Sequence, residues 1–130
     1  MKKTVLLYGF QDFKGTMQAN ALNLFLKPFG AEAAVVAKED YGRPLQSLLE
    51  DKKQEGYKEA SPREEALPVR MLVFCNFTEE ELDQVLQVCP CCGITRDDLK
   101  AVLTETNRAF PGTVLCRMLM EEHRQLYSRR

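Results

Sequence analysis

Four short apolar runs punctuate the chain: Thr4–Tyr8, Glu32–Ala37, Met71–Cys75 and Lys100–Leu103. They are rich in Val, Leu and Ala, and such continuous runs are expected of strands buried on both faces, as in a parallel sheet. Helical spacing fills the gaps between them. From about Asp12 to Lys27, Phe13, Met17, Ala21, Leu24 and Phe25 recur on one face and predict a core-facing stripe, ended by Pro28 and Gly30. The second long helix opens at Thr78 with a capping box completed by Glu81. Leu82, Val85, Leu86 and Cys89 form its predicted buried stripe, and Pro90 and Gly93 stop it. Further helices are predicted after Pro44 (Leu45, Leu48, Leu49) and after Pro111 (Val114, Leu115, Met118, Leu119, extending to Leu126).

The pattern repeats. Val5-Leu6-Leu7-Tyr8-Gly9-Phe10 matches Leu72-Val73-Phe74-Cys75-Asn76-Phe77, and Ala34-Val35-Val36 matches Ala101-Val102-Leu103. Pro44 matches Pro111 and Leu48 matches Leu115, all at an offset of 67 residues. Gly30 pairs with Gly93 at an offset of 63, a slip recovered within the unit. The expected architecture is therefore α/β: a pseudo-symmetric, duplicated βαβα unit with about four mostly parallel strands and helices packed on the sheet. Residues 1–50 form the first half and 69–130 the second. Between them, residues 51–68 are half charged and read as a solvated linker, the whole making one domain.

Composition narrows the function classes. At 130 residues, 45% hydrophobic and 28% charged, the chain is long enough for a real core. A net charge of −1, from 18 basic against 19 acidic residues, gives no footprint for nucleic acid or an anionic membrane. Lys2, Lys3, Arg124, Arg129 and Arg130 are local excesses read as solubilising ends. No run approaches the ~20 apolar residues of a bilayer span. "MKKTVLLYGF" begins like a signal peptide, but its apolar stretch is short and runs directly into Gln11, Asp12 and Lys14. With five cysteines, an odd and clustered set, a cytoplasmic location is expected.

Three segments together carry a family resemblance: "LLYGF…VVAKEDYGRPL", "MLVFCNFTEEELDQVL" and "LKAVLTETNRAF…EEH". The chain resembles the bacterial family catalogued as domain of unknown function 3783, over most of its length except the linker. "EDYGRPL" and "LKAVLTETN" are the most specific pieces, and Phe110 would occupy a place where the family usually carries Trp. The resemblance implies a small bacterial α/β protein and implies no activity. It also implies that the "CPCC" run, which the family lacks, is particular to this sequence.

Two groups of residues are candidates for chemistry. Cys89, Cys91 and Cys92 crowd one helix end, and a zinc site would need Cys75 or Cys116 as a further ligand; His123 is the sole histidine. Adjacent cysteines with no second CxxC make a poor zinc pattern, and a helix C-terminus disfavours a thiolate. Cys75 sits better, before a helix N-terminus, yet Tyr8 fills its place in the other half. The thiols are therefore expected to pack. The second group follows the outer strands: Glu39, Asp40 and Tyr41 in one half, Thr104, Thr106 and Asn107 in the other. At the carboxyl edge of an open sheet they could bind a small polar ligand, or simply shape turns and caps. Neither GxGxxG nor GxxxxGKS occurs, and no Ser/His/Asp set stands out, so no cofactor is expected. The favoured expectation is a non-catalytic binding or interaction module whose partner is another protein or a second copy of itself. A small-molecule enzyme or sensor using the loop residues stays open as the alternative, and a cysteine metal or redox site stands behind both.

Overall fold

A computed structural model describes residues 2–49, 67 and 69–128, excluding side chains beyond residue 124. The Leu126 side chain, the terminal arginines and, apart from Leu67, the charged connector lie outside the described residues. The elements run β1 (Thr4–Tyr8), α1 (Phe13–Leu26), β2 (Glu32–Val35), α2 (Leu45–Leu49), β3 (Met71–Cys75), α3 (Glu79–Val88), β4 (Leu99–Val102) and α4 (Gly112–Ser128). Short 3-10 turns at Lys27–Phe29, Lys38–Asp40, Cys89–Cys92 and Asn107–Ala109 link them.

The strands form one sheet in the order β2-β1-β3-β4. β1 pairs parallel with β2 and β3 parallel with β4, while β1 and β3 pair antiparallel, Leu6 opposite Val73. The expectation of a mostly parallel sheet is thus corrected to a mixed one. The reason is geometric. With β2 and β4 on opposite flanks, right-handed crossovers put α1 and α3 on the same face only when the two central strands oppose each other. They do share a face: Leu22 and Leu26 of α1 and Val85 of α3 lie in one cluster with Val5, Leu7, Leu72 and Phe74. On the other face Leu6, Tyr8, Val73 and Cys75 pack with Leu45 of α2 and Leu115 and Cys116 of α4.

Covered on both sides, β1 and β3 are buried at every residue. β2 and β4 differ from expectation: they are sheet edges and only half-buried, with Val35 and Val102 exposed. Both units repeat one element order and one register, Thr4 facing Glu32 and Met71 facing Leu99. After each central strand the chain turns through the left-handed region, with Gly9 at φ 85° in one unit and Asn76 at φ 69° in the other, two residue types suited to it.

The caps follow the sequence. Thr78 and Glu81 exchange the two hydrogen bonds of a capping box, and Asp12 accepts from the Gly15 N–H at the start of α1. Gly30 and Gly93 close their helix ends in the left-handed conformation.

Two polar bridges tie the units together. Lys3, just before β1, donates to Glu81 of α3 and to the Phe29 carbonyl. Arg70, just before β3, donates to Gln18 of α1 and to the Gly93 carbonyl. Arg70 also grips Asp98 through two bonds, 2.9 and 2.7 Å, and its guanidinium lies 4.3 Å from the Phe10 ring centroid. Burial pushes the Asp98 carboxyl up, but Arg70, the Thr95 N–H and Lys100 outweigh it and hold it below its ordinary value.

Candidate functional site

The loop residues singled out by the sequence do not meet at one edge. Because β2 and β4 run in opposite directions, their carboxyl ends point to opposite ends of the sheet. Each loop then crosses the α2/α4 face. They converge at a bridge between Pro44 and Pro111, where Leu45 N–H donates to the Phe110 carbonyl and Thr113 N–H to that of Tyr41.

In the first loop the Tyr41 hydroxyl donates to Gln11 and accepts from the Gly9 N–H, with the Tyr41 ring buried against Tyr8. Burial raises its phenol, which the Gly9 bond partly offsets. Asp40 pairs with Arg43, and Glu39 belongs to the 3-10 turn.

The second loop closes on itself. Thr104 N–H donates to the Asn107 side-chain oxygen, Asn107 N–H returns to the Thr104 hydroxyl, and the Asn107 amide donates to the Val102 carbonyl. Thr106 precedes the turn and Glu105 pairs with Arg108. Thr104 and Asn107 spend their polar groups on their own loop, while Asp40 and Tyr41 spend theirs on Arg43, Gln11 and Gly9.

The thiols divide by sheet face. Cys75 and Cys116 are buried on the α2/α4 side, Cys89 and Cys92 on the α1/α3 side, and Cys91 is exposed. The sheet therefore separates the members of the four-thiol set, and no group of three or more metal-ligating side chains forms among the described residues. Desolvation pushes the Cys75 thiol up to about 12 and the Cys89 thiol up to about 11, and it raises Cys92 and Cys116 as well. A buried thiol held neutral is a poor nucleophile and a poor ligand. His123 lies exposed on α4.

The largest departure from expectation is α1. Its buried side is Gly15, Gln18, Ala19, Leu22 and Leu26, not the stripe that periodicity selected. Phe13 is 83% exposed, Leu24 69%, Met17 56% and Phe25 42%, while Ala21 is only partly buried. Gly15 faces the core because a Cβ there would collide with the Phe10 backbone, and Gln18 because it reaches Arg70 and the Gly93 carbonyl. The helix is apolar on two sides, one facing the core and one facing outward. Ordinary surface helices are not built so.

The corresponding positions of α3, taken at the Gly30-to-Gly93 offset, are Glu80 for Met17, Gln84 for Ala21 and Gln87 for Leu24. One helix of the pair thus does its packing with a polar exterior, so the fold itself does not call for an apolar one.

Tyr8, which the sequence marks only as the counterpart of Cys75, is a buried polar group. Its ring is fully buried, its hydroxyl has no hydrogen-bond partner among the described residues, and desolvation raises its phenol strongly. A Cβ on Gly112 would run into that ring, so α4 starts with the residue that makes room for it.

Comparison with known proteins adds one match. Residues 70–126 match the model of a family described as Domain of unknown function (DUF3783). The match takes in the "MLVFCNFTEEELDQVL" and "LKAVLTETNRAF" segments; the first-half segments lie outside it. No curated protein and no solved structure gives a significant match.

Proposed function

From a chain whose residues 70–126 belong to the DUF3783 family, we propose a non-catalytic interaction module that presents the outward face of α1 to another polypeptide. One observation carries this reading: Phe13, Met17 and Leu24 stand exposed on a helix whose opposite side already fills the core. The largest apolar patch on a monomeric domain, about 300–600 Å2, is often a functional surface. Two others support it. The polar loops after β2 and β4 are tied into turns at opposite ends of the sheet, and the buried thiols are held neutral.

In the same reading the two βαβα units are copies of one ancestral unit, and the first has gained the apolar exterior. Five free thiols suit a reducing, cytoplasmic setting, and no helix among the described residues is long and apolar enough to cross a membrane.

The test has two arms. A photo-crosslinking residue at position 13 or 24 is expected to capture a polypeptide in expressing cells, with position 105 silent. In parallel, 15N-labelled protein is titrated with a metabolite library. Saturable shifts at Glu39–Tyr41 or Thr104–Asn107, with no crosslink from α1, would replace the module with a ligand sensor or enzyme.

A further inference from the structure

We propose that the edge of β4 takes up an extended segment of another polypeptide, added antiparallel to the sheet, with an apolar residue opposite Val102 and an acidic one opposite Lys100. This edge is a second surface, separate from the outward face of α1.

The ladder fixes which backbone groups are open. Leu99 N–H donates to the Arg70 carbonyl and Leu103 N–H to that of Phe74, both at 2.9 Å, so alternate residues of β4 pair with β3. Lys100 and Val102 fall between them and turn their backbone groups away from the sheet. The Val102 carbonyl accepts from the Asn107 amide. The Lys100 N–H, the Lys100 carbonyl and the Val102 N–H have no partner among the described residues.

β2 shows how this fold closes an edge. Ala33, the counterpart of Lys100, donates its N–H to the Asn23 side-chain oxygen at 2.7 Å, and its carbonyl accepts from the Asn23 amide at 3.2 Å. An incoming strand would have to displace Asn23. At the Gly30-to-Gly93 offset Asn23 corresponds to Leu86, which is exposed and has no hydrogen-bonding side chain. Other devices against edge pairing are a proline, a bulge or a protruding charge. β4 has no proline and keeps an unbroken register. Its Lys100 folds the ammonium back onto the Thr95 and Asp98 carbonyls, 2.9 and 3.1 Å away.

The same geometry selects the occupant. A residue antiparallel to Lys100 exchanges both hydrogen bonds with it, and the residue two before accepts from the Val102 N–H. Leu99, Ala101 and Leu103 pack on the α2/α4 face, so the Lys100 and Val102 side chains lie on the α1/α3 face, as do residues set opposite them. An ammonium has three donors, and the one that Lys100 has left favours a carboxylate opposite. Val102, 45% exposed, favours an apolar residue opposite, on the face where Leu86 is also exposed. The Asn107 amide closes the edge beyond Val102, so the segment begins there. β4 itself contains no acidic residue, and a second copy of it therefore does not supply this pattern.

NMR on the 15N-labelled full chain, with circular dichroism on every variant, tests the proposal. In the isolated protein the Lys100 and Val102 amides should exchange fast with solvent and that of Ala33 slowly. A capped eight-residue peptide with Val-Thr-Glu at its centre should give saturable shifts at β4, with a dissociation constant of about 1 mM or below. The same peptide N-methylated at Glu cannot donate to the Lys100 carbonyl and should bind at least about tenfold more weakly. Leu86→Asn, which copies the cap of β2, should also weaken binding at least about tenfold. Lys100→Glu should weaken it severalfold, and a peptide with Lys in place of Glu should restore it. Slow exchange of Lys100 and Val102 in the isolated monomer, no shift up to about 5 mM peptide, or equal binding of the N-methylated peptide overturns the proposal. Slow exchange in a dimer, seen by sedimentation equilibrium, would overturn it in favour of a second copy.

Discussion

Replacing Arg70 with alanine leaves Asp98, 8% exposed, with the Thr95 N–H in place of three hydrogen bonds, and leaves Gln18 only the Gly93 carbonyl as a partner in the other unit. Breaking a fully dry ion pair costs about 3–5 kcal/mol because a charge stays buried and alone. The Arg70 side chain is 26% exposed, so water recovers part of that cost. Loss of its contact with the Phe10 ring adds up to about 1 kcal/mol. The expected destabilisation is about 2–4 kcal/mol. With an m value of about 2 kcal/mol per molar urea, the midpoint should fall by about 1–2 M in urea unfolding followed by circular dichroism.

The pH dependence must agree. A carboxyl whose folded pKa is depressed contributes stability that is present above its unfolded value, about 3.9, and is lost as pH falls through the depressed folded value. The stability gap between the parent and Arg70→Ala should therefore be full at pH 6 and narrow on acidification below about pH 4. A loss under about 0.5 kcal/mol at pH 6, or a gap that widens on acidification, would refute the role given to this bridge.

The other predictions concern buried groups. Ellman's reagent should titrate one thiol promptly in the native protein, Cys91, and four more only on unfolding, with Cys91→Ser removing the fast phase. Gly112→Ala, a change that elsewhere in a helix stabilises, should cost about 1–3 kcal/mol here because the new Cβ meets the Tyr8 ring. Tyr8→Phe should be neutral or stabilising by about 1 kcal/mol, since it deletes a buried hydroxyl without a partner among the described residues; a clear loss of stability would show that the hydroxyl is satisfied.

Much of the fold was legible because local chemistry decided it. The Thr78–Glu81 capping box, the glycine stops at Gly30 and Gly93, and the strand runs Thr4–Tyr8 and Met71–Cys75 all stand where the pattern put them. Strand direction across the β1–β3 boundary was not legible, because it depends on which faces the crossover helices share. The face of α1 was misjudged for a related reason. Periodicity favours large side chains, and Phe13, Met17 and Leu24 outweigh Gly15, Gln18 and Ala19 in any such reading. Close packing wanted the small residues inside. Gln18 could be placed only by knowing that Arg70, 52 positions away, lies beside it. The loop residues Thr104 and Asn107 carried the signature of a turn as much as of a site, and their hydrogen bonds are those of a turn, whereas the Tyr41 hydroxyl reaches Gly9 and Gln11, far away in the sequence.

On the interaction-module reading, the outward face of α1 is covered by polypeptide when the protein is at work. Hydroxyl-radical footprinting in expressing cells and on dilute purified protein, read by mass spectrometry at Phe13 and Met17, tests it most directly. Strong oxidation of both residues in the dilute protein and protection in cells is the predicted result, with exposed Met118 on α4 as the internal reference. Equal reactivity of Phe13 and Met17 in the two settings would contradict the account.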